Sequence, residues 1–457
     1  MKIKEDINKY IFRGYDIRGV VPTDIDVDTA YTIGVGFGSK LIDLGKDKCV
    51  VGHDNRLSSP DLHQALIQGL IDTGINVYDL GLCTTPMYYF GCIDLSIDSG
   101  IMITASHNPK DENGFKFAFK NYDNAKGKEI EDFYNYIKQG KFHYGEGSIT
   151  KKDVKEDYLS ALTDNLSFGK RKVKVVLDPG NGTTSILLDD VFKRVDVDYT
   201  IINGESDGSF PNHHPDPSIE SNLDELKQAV IDRNADVGLA FDGDGDRVGV
   251  ISGSGKFIPI DYYMIIIIRD IINKVSNKTF LYDVKCSKSL EDEIIKLGGT
   301  PYCYRTGNSY TKAKVKELDL AFGGELSGHV YFRDKFLGFD SGIYAGLRLL
   351  EILSNTKKSV DELLEGINRY YSTPETKYKT RDEIKFEVVK KIEDYCKEKG
   401  YTYNNIDGVR VTFDDSWASV RASNTGPNLT ARFEASSEER LEKIKNEFES
   451  LIFKYNK

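Results

Sequence analysis

The sequence has little of what marks membrane proteins, nucleic-acid-binding proteins and secreted proteins. Its most apolar run, residues 262–268, is far too short to span a bilayer, and we expect a buried helix there. Residues 1–10 are rich in Lys, Glu and Asp and contain no apolar core segment, so we expect no signal peptide. The formal net charge is −11, whereas nucleic-acid-binding proteins carry a basic face. We therefore expect a cytoplasmic protein that binds neither nucleic acid nor membrane.

Cysteine and tryptophan are also scarce. The cysteines are Cys49, Cys83, Cys92, Cys286, Cys303 and Cys396. Because they are widely scattered and form no CxxC pair, we expect reduced, partly buried thiols without a catalytic role. The single tryptophan excludes nothing. With 457 residues, of which 39% are hydrophobic and 29% charged, the chain has the composition of an ordinary soluble globular protein of two to four domains.

Strand-like and helix-like segments alternate through most of the chain. Residues 48–52 and 75–78 predict strands on either side of a helix over 59–73, and further strands are predicted at 172–178 and 279–284. A helix-like stretch follows each of these last two strands. This βαβ rhythm predicts three similar α/β units, with parallel or mixed sheets covered by helices.

The last part of the chain has a different pattern. It predicts a helix over 381–399, strands over 408–413 and 416–421, and a final helix over 438–455, which together form a smaller α+β domain. Polar or glycine-rich segments separate this domain from the α/β units, and the units from one another. The predicted domains are residues 1–150, 151–255, 256–372 and 373–457.

The most informative segment is DGDGDR at residues 242–247. It follows the apolar run 237–241, which predicts a buried strand, so three carboxylates emerge together where that strand ends. Residues two apart share a face of an extended chain, and the glycines allow the backbone to curl until the three carboxylates meet. Three hard oxygen ligands without nearby Cys or His favour Mg²⁺ over zinc, and Arg247 can hold a phosphate beside the metal. The predicted metal ligands are Asp242, Asp244 and Asp246.

Two other interpretations of this segment compete with a magnesium site. An EF-hand calcium loop also opens with alternate aspartates, but its sixth position would be Arg247 instead of glycine. Its twelfth position would be Gly253 instead of a bidentate glutamate, so the EF-hand is excluded. An acidic turn without metal stays open on this loop alone, because turns rich in glycine and aspartate are common.

A second polar loop, TASHNP at residues 104–109, follows an apolar strand. Its Asn-Pro step forces an extended or turn conformation and lifts the small residues out of the sheet. Ser106 can accept a phosphoryl group there if a metal and donors surround its oxygen, and Lys116 follows near the same strand end. His107 is awkwardly placed as the base of a Ser–His pair, and there is no GxSxG elbow. An ordinary polar turn stays open on this loop alone.

Two further loops combine side chains that suit a sugar phosphate. GGELSGH at residues 323–329 offers a carboxylate and a hydroxyl to vicinal sugar hydroxyls, and His329 can exchange a proton with one of them. RASNTGP at residues 421–427 combines a guanidinium with short polar side chains and a glycine turn, which suit a phosphate. A buried structural histidine and a polar hairpin turn are the respective alternatives.

Three other groups of polar residues stand out. FRGYDIRG at residues 12–19 carries two arginines among glycines, and Lys285 and Arg305 follow strand-like runs in the third unit. The adjacent residues His213 and His214 suggest a metal site at first. The surrounding prolines favour a stiff surface or interdomain loop instead.

In their order along the chain, these segments resemble the α-D-phosphohexomutases, and most closely the bacterial phosphomannomutase/phosphoglucomutase group. The resemblance is carried by FRGYDIRG, TASHNP with NGFK, DGSFPNHHPDP, DGDGDR, GELSGH and RASNTGP. Each motif alone is weak to moderate, but the ordered set is highly specific and extends over essentially the whole chain. The resemblance implies an α/β protein with four domains around a central cleft, three of them similar α/β units with mixed sheets and the fourth a smaller α+β domain.

The resemblance also implies an activity, which is reversible transfer of a phosphoryl group between the 1- and 6-positions of a hexose (mannose, glucose or both). A phosphoserine at Ser106 and a hexose 1,6-bisphosphate would be the intermediates, with one Mg²⁺ ion held by Ser106 and the three aspartates. Glucose 1,6-bisphosphate would act as activator or intermediate. The implied catalytic residues are Ser106, Lys116, His329, Arg247, Arg18 and His107. The implied substrate-binding residues are Tyr15, Lys285, Glu325, Ser327, Arg421, Ser423, Asn424 and Thr425.

The roles implied for these residues differ. Arg247, Arg18 and His107 would surround the phosphoryl group, and Lys116 and His329 would serve as general acid and base. Glu325 and Ser327 would bind the 3- and 4-hydroxyls of the sugar. The last four substrate-binding residues would hold the phosphate that does not react. We expect hexose phosphates as small-molecule ligands and a monomer or weak dimer.

The chain departs from the family pattern at two positions that bear on substrate choice. Asn308 stands where close relatives usually carry His, and it keeps a donor and an acceptor but cannot be charged. Leu326 occupies the variable position of the sugar loop, where phosphoglucosamine mutases usually carry Gln. A phosphoglucosamine mutase is an alternative that Leu326 disfavours, and a non-catalytic sugar-phosphate-binding protein is another. Intact Ser106 and Lys116, together with all three aspartates, argue against the non-catalytic protein.

Overall fold

A computed structural model describes residues 1–423 and 426–457 of the chain. The described residues form two compact units. The first consists of Met1–Pro259 and Ser327–Leu363, and the second of Ile260–Leu326 and Leu364–Lys457. No described helix is both long enough and apolar enough to cross a membrane.

The first unit begins with a six-stranded mixed sheet. Its strands are β1 (Ile17–Val20), β2 (Lys48–His53), β3 (Asn76–Leu82), β4 (Gly100–Ile103), β5 (Glu112–Ala118) and β6 (Ile149–Lys151). Their spatial order is β1-β5-β4-β2-β3-β6, in which β5 is antiparallel to both of its neighbours and the other pairs are parallel. The helices of this part are α1 (Val27–Asp43), α2 (Ser59–Ile71), α3 (Thr85–Asp94) and α4 (Lys128–Gln139). The predicted strand–helix–strand segment is confirmed, and its second strand extends to Leu82.

A second mixed sheet follows in the same unit. Its strands are β7 (Val173–Asp178), β8 (Val197–Ile201), β9 (Val237–Phe241), β10 (Val248–Ser252) and β11 (Phe257–Ile258), in the spatial order β11-β10-β9-β7-β8. Strand β7 is parallel to β8 and β9, and β10 is antiparallel to β9 and β11. Its helices are α5 (Lys155–Thr163), α6 (Leu188–Phe192) and α7 (Asp224–Asp232). The helix-like stretch after β7 is a single 3₁₀ turn, Thr183–Ile186, followed by the short α6.

The second unit begins with a parallel α/β arrangement. Its elements are α8 (Ile260–Ile271), β12 (Thr279–Asp283), α9 (Lys288–Lys296), β13 (Thr300–Tyr304), α10 (Asn308–Glu317) and β14 (Phe322–Gly324). Strand β12 lies between β13 and β14 and is parallel to both. The buried helix predicted around residues 262–268 is confirmed as α8. The chain then returns to the first unit and forms β15 (Val330–Phe332), α11 (Gly342–Ser354) and α12 (Val360–Leu363).

The second unit ends with an antiparallel α+β domain. Its elements are β16 (Tyr371–Ser372), β17 (Thr376–Lys379), α13 (Lys385–Glu398), β18 (Tyr403–Asn404), β19 (Val409–Thr412), β20 (Ser416–Ala422), β21 (Asn428–Ala435) and α14 (Glu438–Tyr455). The strand order is β16-β21-β20-β19-β18, with β17 also paired to β21. Both predicted helices and both predicted strands are present. The sequence pattern did not predict β21, the longest strand of this sheet.

Strand β21 is buried on both of its faces, which explains why it was missed. Leu429 and Phe433 belong to the apolar core of the domain. Arg432 and Glu434 point the other way and are also buried, since Arg432 donates to the carbonyl of Lys285 and Glu434 accepts from the N–H of Lys288. The sequence of a strand with one apolar and one polar face predicts that the polar face is exposed to solvent. In β21 the polar face instead contacts another part of the same unit.

Candidate active site

Strand β9 is buried along its whole length and leads directly into the acidic loop. Asp242, Asp244 and Asp246 are completely buried. Each of them offers a carboxylate oxygen that lies within 4.8 Å of the others. The structure thus brings the three predicted ligands together, and the group can hold a metal ion.

Ser106 lies in the loop after β4, against this acidic group. Its Oγ donates a hydrogen bond to Oδ2 of Asp242 at 2.8 Å, and its N–H donates to Oγ1 of Thr104 at 2.8 Å. The backbone of Ser106 has φ of +51°, a left-handed conformation that is costly for a residue with a Cβ and that clusters at functional sites. The loop therefore holds one serine hydroxyl at the edge of the carboxylate group.

Lys116 comes from β5, where it pairs with Met102 of β4. Its Nζ donates to Oδ2 of Asp244 at 2.9 Å and to Oδ2 of Asp246 at 2.5 Å. Burial alone would lower the pKa of this ammonium, but the two carboxylates outweigh burial and raise the pKa of Lys116 well above its usual value. Lys116 is therefore a buried cation that balances part of the negative charge.

The three aspartates remain short of partners even with Lys116 in place. Burial, reinforced by repulsion from Asp246 and Asp244, raises the pKa of Asp242 well above its usual range. Burial also opposes ionisation of Asp246, but the Lys116 ammonium outweighs it and lowers the pKa of Asp246. The Oδ1 atoms of Asp244 and Asp246 are buried and have no hydrogen-bond partner among the described residues. Such oxygens, held together without soft ligands, fit a hard divalent cation.

Arg247 and His329 form a chain of contacts beside the acidic loop. The Nε atom of Arg247 donates to Nε2 of His329 at 3.0 Å, and Nδ1 of His329 lies 2.7 Å from Oδ2 of Asp340. Because an arginine Nε–H can only donate, Nε2 of His329 is the acceptor and Nδ1 carries the proton that is donated to Asp340. This arrangement fixes the orientation and tautomer of His329.

Arg18 and His107 lie on the other side of Ser106. Arg18 donates to Oδ1 of Asn108 and to Oδ2 of Asp16, both at 2.7 Å. Nδ1 of His107 lies 3.2 Å from the Oγ atom of Ser106. Burial, together with the nearby positive charges of Arg247 and Arg18, lowers the pKa of His107 well below its usual value, so His107 is a neutral ring near neutral pH. Tyr15, in the loop before β1, is partly buried.

The second unit contains its own cluster of predicted residues. Lys285 follows β12, and its Nζ lies 3.4 Å from Oε2 of Glu375. Arg421 of β20 donates to Oε1 of Glu375 at 3.4 Å and to Oδ2 of Asp407 at 3.0 Å. Burial opposes ionisation of Glu375, but Lys285 and Arg421 lower its pKa to about 2. A carboxylate thus bridges two cations that lie far apart in the sequence.

The remaining predicted residues divide between the units. Glu325, in the second unit, is buried and accepts hydrogen bonds from the N–H of Gly307 at 3.2 Å and from Oγ1 of Thr311 at 2.5 Å. Ser327 belongs to the first unit, and its Oγ is buried without a hydrogen-bond partner among the described residues. The N–H of Ser423, in the second unit, donates to the carbonyl of Asn428 at 2.8 Å. The other two predicted phosphate-loop residues, Asn424 and Thr425, lie outside the described residues.

The sequence analysis did not identify several residues that contact these groups. Oγ1 of Thr85 donates to Oδ2 of Asp244 at 2.6 Å, and Oγ1 of Thr104 does so at 3.2 Å. Asp340 and Glu375 were also missed. Thr104 lies in the TASHNP motif, but the motif gave it no role, and the other three lie outside the motifs. Only the fold, which brings distant loops together, identifies these contacts.

Four family models match the chain one after another. They are the alpha/beta/alpha domains I, II and III of phosphoglucomutase/phosphomannomutase and the C-terminal domain of the same family. The matched residues are 9–143, 156–255, 259–370 and 375–451. Together they account for most of the chain, in the order predicted from the sequence motifs.

Individual proteins match over nearly the whole chain. A phosphomannomutase/phosphoglucomutase of Pseudomonas syringae pv. tomato is 39% identical over 444 residues, which cover 97% of this chain and 95% of the relative. A phosphoglucomutase of Neisseria gonorrhoeae is 37% identical over 450 residues, covering 98% and 97% of the two chains. The crystal structure of a phosphoglucomutase/phosphomannomutase family protein from Burkholderia thailandensis superposes with a TM-score of 0.91 at 37% identity, covering 98% of each chain.

Proposed function

This chain belongs to the phosphoglucomutase/phosphomannomutase family, and we propose from that premise that it transfers a phosphoryl group reversibly between the 1- and 6-positions of a hexose phosphate. A phosphoserine enzyme and a hexose 1,6-bisphosphate are the intermediates. The substrate is mannose phosphate, glucose phosphate or both, since the relatives are named for both activities. The observation that carries this proposal is the hydrogen bond of 2.8 Å between Ser106 and Asp242.

Ser106 is the residue that carries the phosphoryl group. Asp242, Asp244 and Asp246 hold one Mg²⁺ ion, and an oxygen of phosphorylated Ser106 completes the protein's ligands. The ion supplies charge neutralisation for the transferring phosphoryl group when it is bound. This assignment is supported by the burial of the three carboxylates and by the Oδ1 atoms of Asp244 and Asp246, which accept no hydrogen bond from the described residues.

Proton transfer and charge stabilisation are assigned to the side chains around Ser106. A hexose hydroxyl oxygen forms a bond to phosphorus while the bond between phosphorus and Oγ of Ser106 breaks. The hydroxyl proton passes to His329 as general base, and the Lys116 ammonium donates a proton to the leaving Oγ as general acid. The same groups return a proton in the second half-reaction. Arg247, Arg18 and His107 surround the phosphoryl group, where their donors stabilise the charge on its oxygens.

The other predicted residues are assigned to substrate binding. Arg421 and Lys285 supply cations for the phosphate that does not react, together with Ser423, Asn424 and Thr425. Glu325 and Ser327 bind sugar hydroxyls, and Tyr15 contributes a further contact. The bisphosphate turns end for end between the half-reactions, so one phosphate-binding site and one metal site serve both of them.

We assign the domains to residues 1–150, 151–255, 256–372 and 373–457. Four successive domains then contain Ser106, the acidic loop 242–247, the loop 323–329 and the loop 421–427, in that order.

Glucose 1,6-bisphosphate phosphorylates Ser106 and thereby activates the enzyme. We assign the protein to the cytoplasm, as a monomer or weak dimer without nucleic-acid or membrane partners.

A coupled assay tests this function. It contains Mg²⁺ and a trace of glucose 1,6-bisphosphate, and it compares mannose 1-phosphate, glucose 1-phosphate and glucosamine 1-phosphate as substrates. We expect turnover of at least one of the first two, lost in Ser106→Ala and kept in Ser99→Ala, a matched variant of another buried serine in the same unit. Turnover of glucosamine 1-phosphate alone would assign a different sugar, and turnover unaffected by Ser106→Ala would exclude the phosphoserine.

A further inference from the structure

Arg56 is a completely buried arginine in the loop between β2 and α2, at the back of the Ser106 loop. Its NH2 group donates to the carbonyl oxygens of Ser106 and Asn108, both at 2.7 Å. Its NH1 group donates to the carbonyl oxygens of Pro109 at 2.6 Å and Glu112 at 3.0 Å. One guanidinium therefore holds three carbonyls of the Ser106 loop and that of Glu112, where β5 begins.

An arginine next to a phosphorylatable serine suggests a phosphate ligand, but the geometry excludes that role for Arg56. A guanidinium has five N–H donors, and the four on NH1 and NH2 already donate to carbonyls. The fifth, on Nε, makes no hydrogen bond to the described residues but faces the buried Oδ2 of Asp54 at 3.3 Å, in an ion pair. The side chain is not exposed to solvent at all, so no donor is left to reach a substrate.

The guanidinium is itself held from three sides. Asp54 accepts from the backbone N–H of Arg56 at 3.1 Å and from the hydroxyl of Ser59 at 2.5 Å, which orients its carboxylate. The ring of Phe210, from the segment between β8 and α7, lies 5.3 Å from the guanidinium carbon. A planar guanidinium fixed in this way presents its N–H donors in one geometry. A flexible lysine side chain does not reproduce that geometry.

We propose that Arg56 is the positioning residue that holds Ser106 in the conformation from which it exchanges its phosphoryl group. The inference rests on the proposed function, in which Ser106 is the phosphoryl carrier. The left-handed backbone at Ser106, with φ of +51°, is costly and persists only where its surroundings impose it. The carbonyl of Ser106, two further carbonyls of the same loop and that of Glu112 are fixed by Arg56. Their common anchor therefore keeps Oγ of Ser106 within 2.8 Å of Asp242.

Arg348 provides a matched control in the same unit. It is also buried, donates to both carboxylate oxygens of Asp334 at 2.8 Å, and lies 4.8 Å from the ring of Phe332. It does not belong to the set of residues around Ser106. Replacement of either arginine by lysine removes a buried fork while keeping the charge, so the two variants share the structural penalty and differ only in their relation to the serine loop.

The test compares full-length Arg56→Lys and Arg348→Lys with the wild type. Measurements are kcat and KM for the better hexose 1-phosphate, the rate of Ser106 phosphorylation by glucose 1,6-bisphosphate, and thermal stability. We expect Arg56→Lys to lower kcat and the phosphorylation rate about 100-fold, with KM changed less than about twofold, because misplacing a reacting group by about 1 Å has an effect of this size. Arg348→Lys should leave both rates within about twofold of the wild type.

Two results would overturn the inference. One is an Arg56→Lys enzyme whose kcat per folded molecule equals that of Arg348→Lys, which would make Arg56 purely structural. The other is a rise of KM without a fall of kcat. If Arg56→Lys does not fold, Asp54→Asn is the second variant, because it removes the carboxylate that faces the same guanidinium. We expect Asp54→Asn to lower kcat about tenfold. An unchanged kcat would reject the positioning role of Arg56. Absence of turnover and of Ser106 phosphorylation in the wild type would instead reject the proposed function itself.

Discussion

The Oγ atom of Ser106 lies 2.8 Å from Oδ2 of Asp242, a residue 136 positions later in the chain. Two loops that follow buried strands of different sheets meet at this contact. The approach is close enough that a Cβ on Gly243 would lie 2.6 Å from the carbonyl oxygen of Ser106. The absence of a side chain at Gly243 thus allows the acidic loop to reach the serine.

Gly243→Ala should lower activity more than it lowers stability. A methyl group 2.6 Å from the carbonyl oxygen of Ser106 must push the two loops apart, and a shift of about 1 Å between reacting groups lowers kcat about 100-fold. The measurements are kcat and the midpoint of thermal unfolding. Gly298→Ala provides the control because a Cβ there meets nothing within 4 Å, while its φ of +77° makes the alanine lower stability without pushing the two loops apart. Equal kcat in the two variants would contradict the close approach.

Lys116→Met should make stability dependent on divalent metal. Removal of the ammonium leaves the carboxylates of Asp244 and Asp246 buried without their cation, which costs about 3–5 kcal/mol in the free energy of unfolding. Saturating Mg²⁺ should recover part of this loss because the ion binds the folded state. Thermal unfolding with EDTA and with Mg²⁺ measures the effect. The partly exposed pair of Lys155 with Asp190 supplies the control variant, Lys155→Met, and an equal Mg²⁺ shift in both variants would refute the prediction.

Asp340→Asn should impair proton transfer while leaving substrate binding intact. The carboxylate accepts the Nδ1 proton of His329, whereas an amide can turn its NH₂ group to that nitrogen and favour the other tautomer. The proton would then lie on Nε2, facing the Nε–H of Arg247. We expect kcat to fall about 100-fold, within the range that general acid–base catalysis contributes. Steady-state kinetics measures this. The control is Asp361→Asn, because Asp361 of α12 is a partly exposed carboxylate that pairs with Lys256 instead of a histidine. An unchanged kcat in Asp340→Asn, or an equal loss in the control, would contradict the prediction.

Glu375→Gln should remove a pH-dependent part of the stability. The pKa of Glu375 is lowered from 4.5 to about 2 in the folded state, so its contribution is fully present above pH 4.5 and is lost as the pH falls toward 2. The difference corresponds to at most about 3 kcal/mol. Chemical unfolding of both proteins between pH 7 and pH 3 measures it. The wild type should be more stable at pH 7, by a margin that shrinks below pH 4.5; a constant margin would contradict the ion pairs.

The sequence predicted the aspartates and the serine at the centre of the candidate site because each group lies within one short motif. Asp242, Asp244 and Asp246 follow a continuous apolar run, and Ser106 lies in a loop that a proline defines, so strand ends and polar loops were recognisable without the fold. The main βαβ elements were predictable for the same reason, since their apolar periodicity is regular.

The residues that surround this centre were not predictable because their roles depend on contacts across long stretches of sequence. Arg56, Asp340 and Glu375 lie outside the motifs. The partners that Arg56 and Glu375 contact are 46 to 90 positions away in the sequence. The partner of Asp340 belongs to a neighbouring loop. Strand β21 was missed because its polar face is buried by another part of its unit. Such polar contacts carry no periodic signal.

The measurement that tests the central claim most directly is the location of the phosphoryl group on the protein. The purified chain is incubated with Mg²⁺ and glucose 1,6-bisphosphate, freed of ligand, and digested for mass spectrometry before and after addition of mannose 1-phosphate or glucose 1-phosphate. We predict one phosphate on the peptide that contains Ser106, which the monophosphate removes as a hexose 1,6-bisphosphate forms. A phosphate on another residue, or one on Ser106 that no hexose monophosphate removes, would contradict the account.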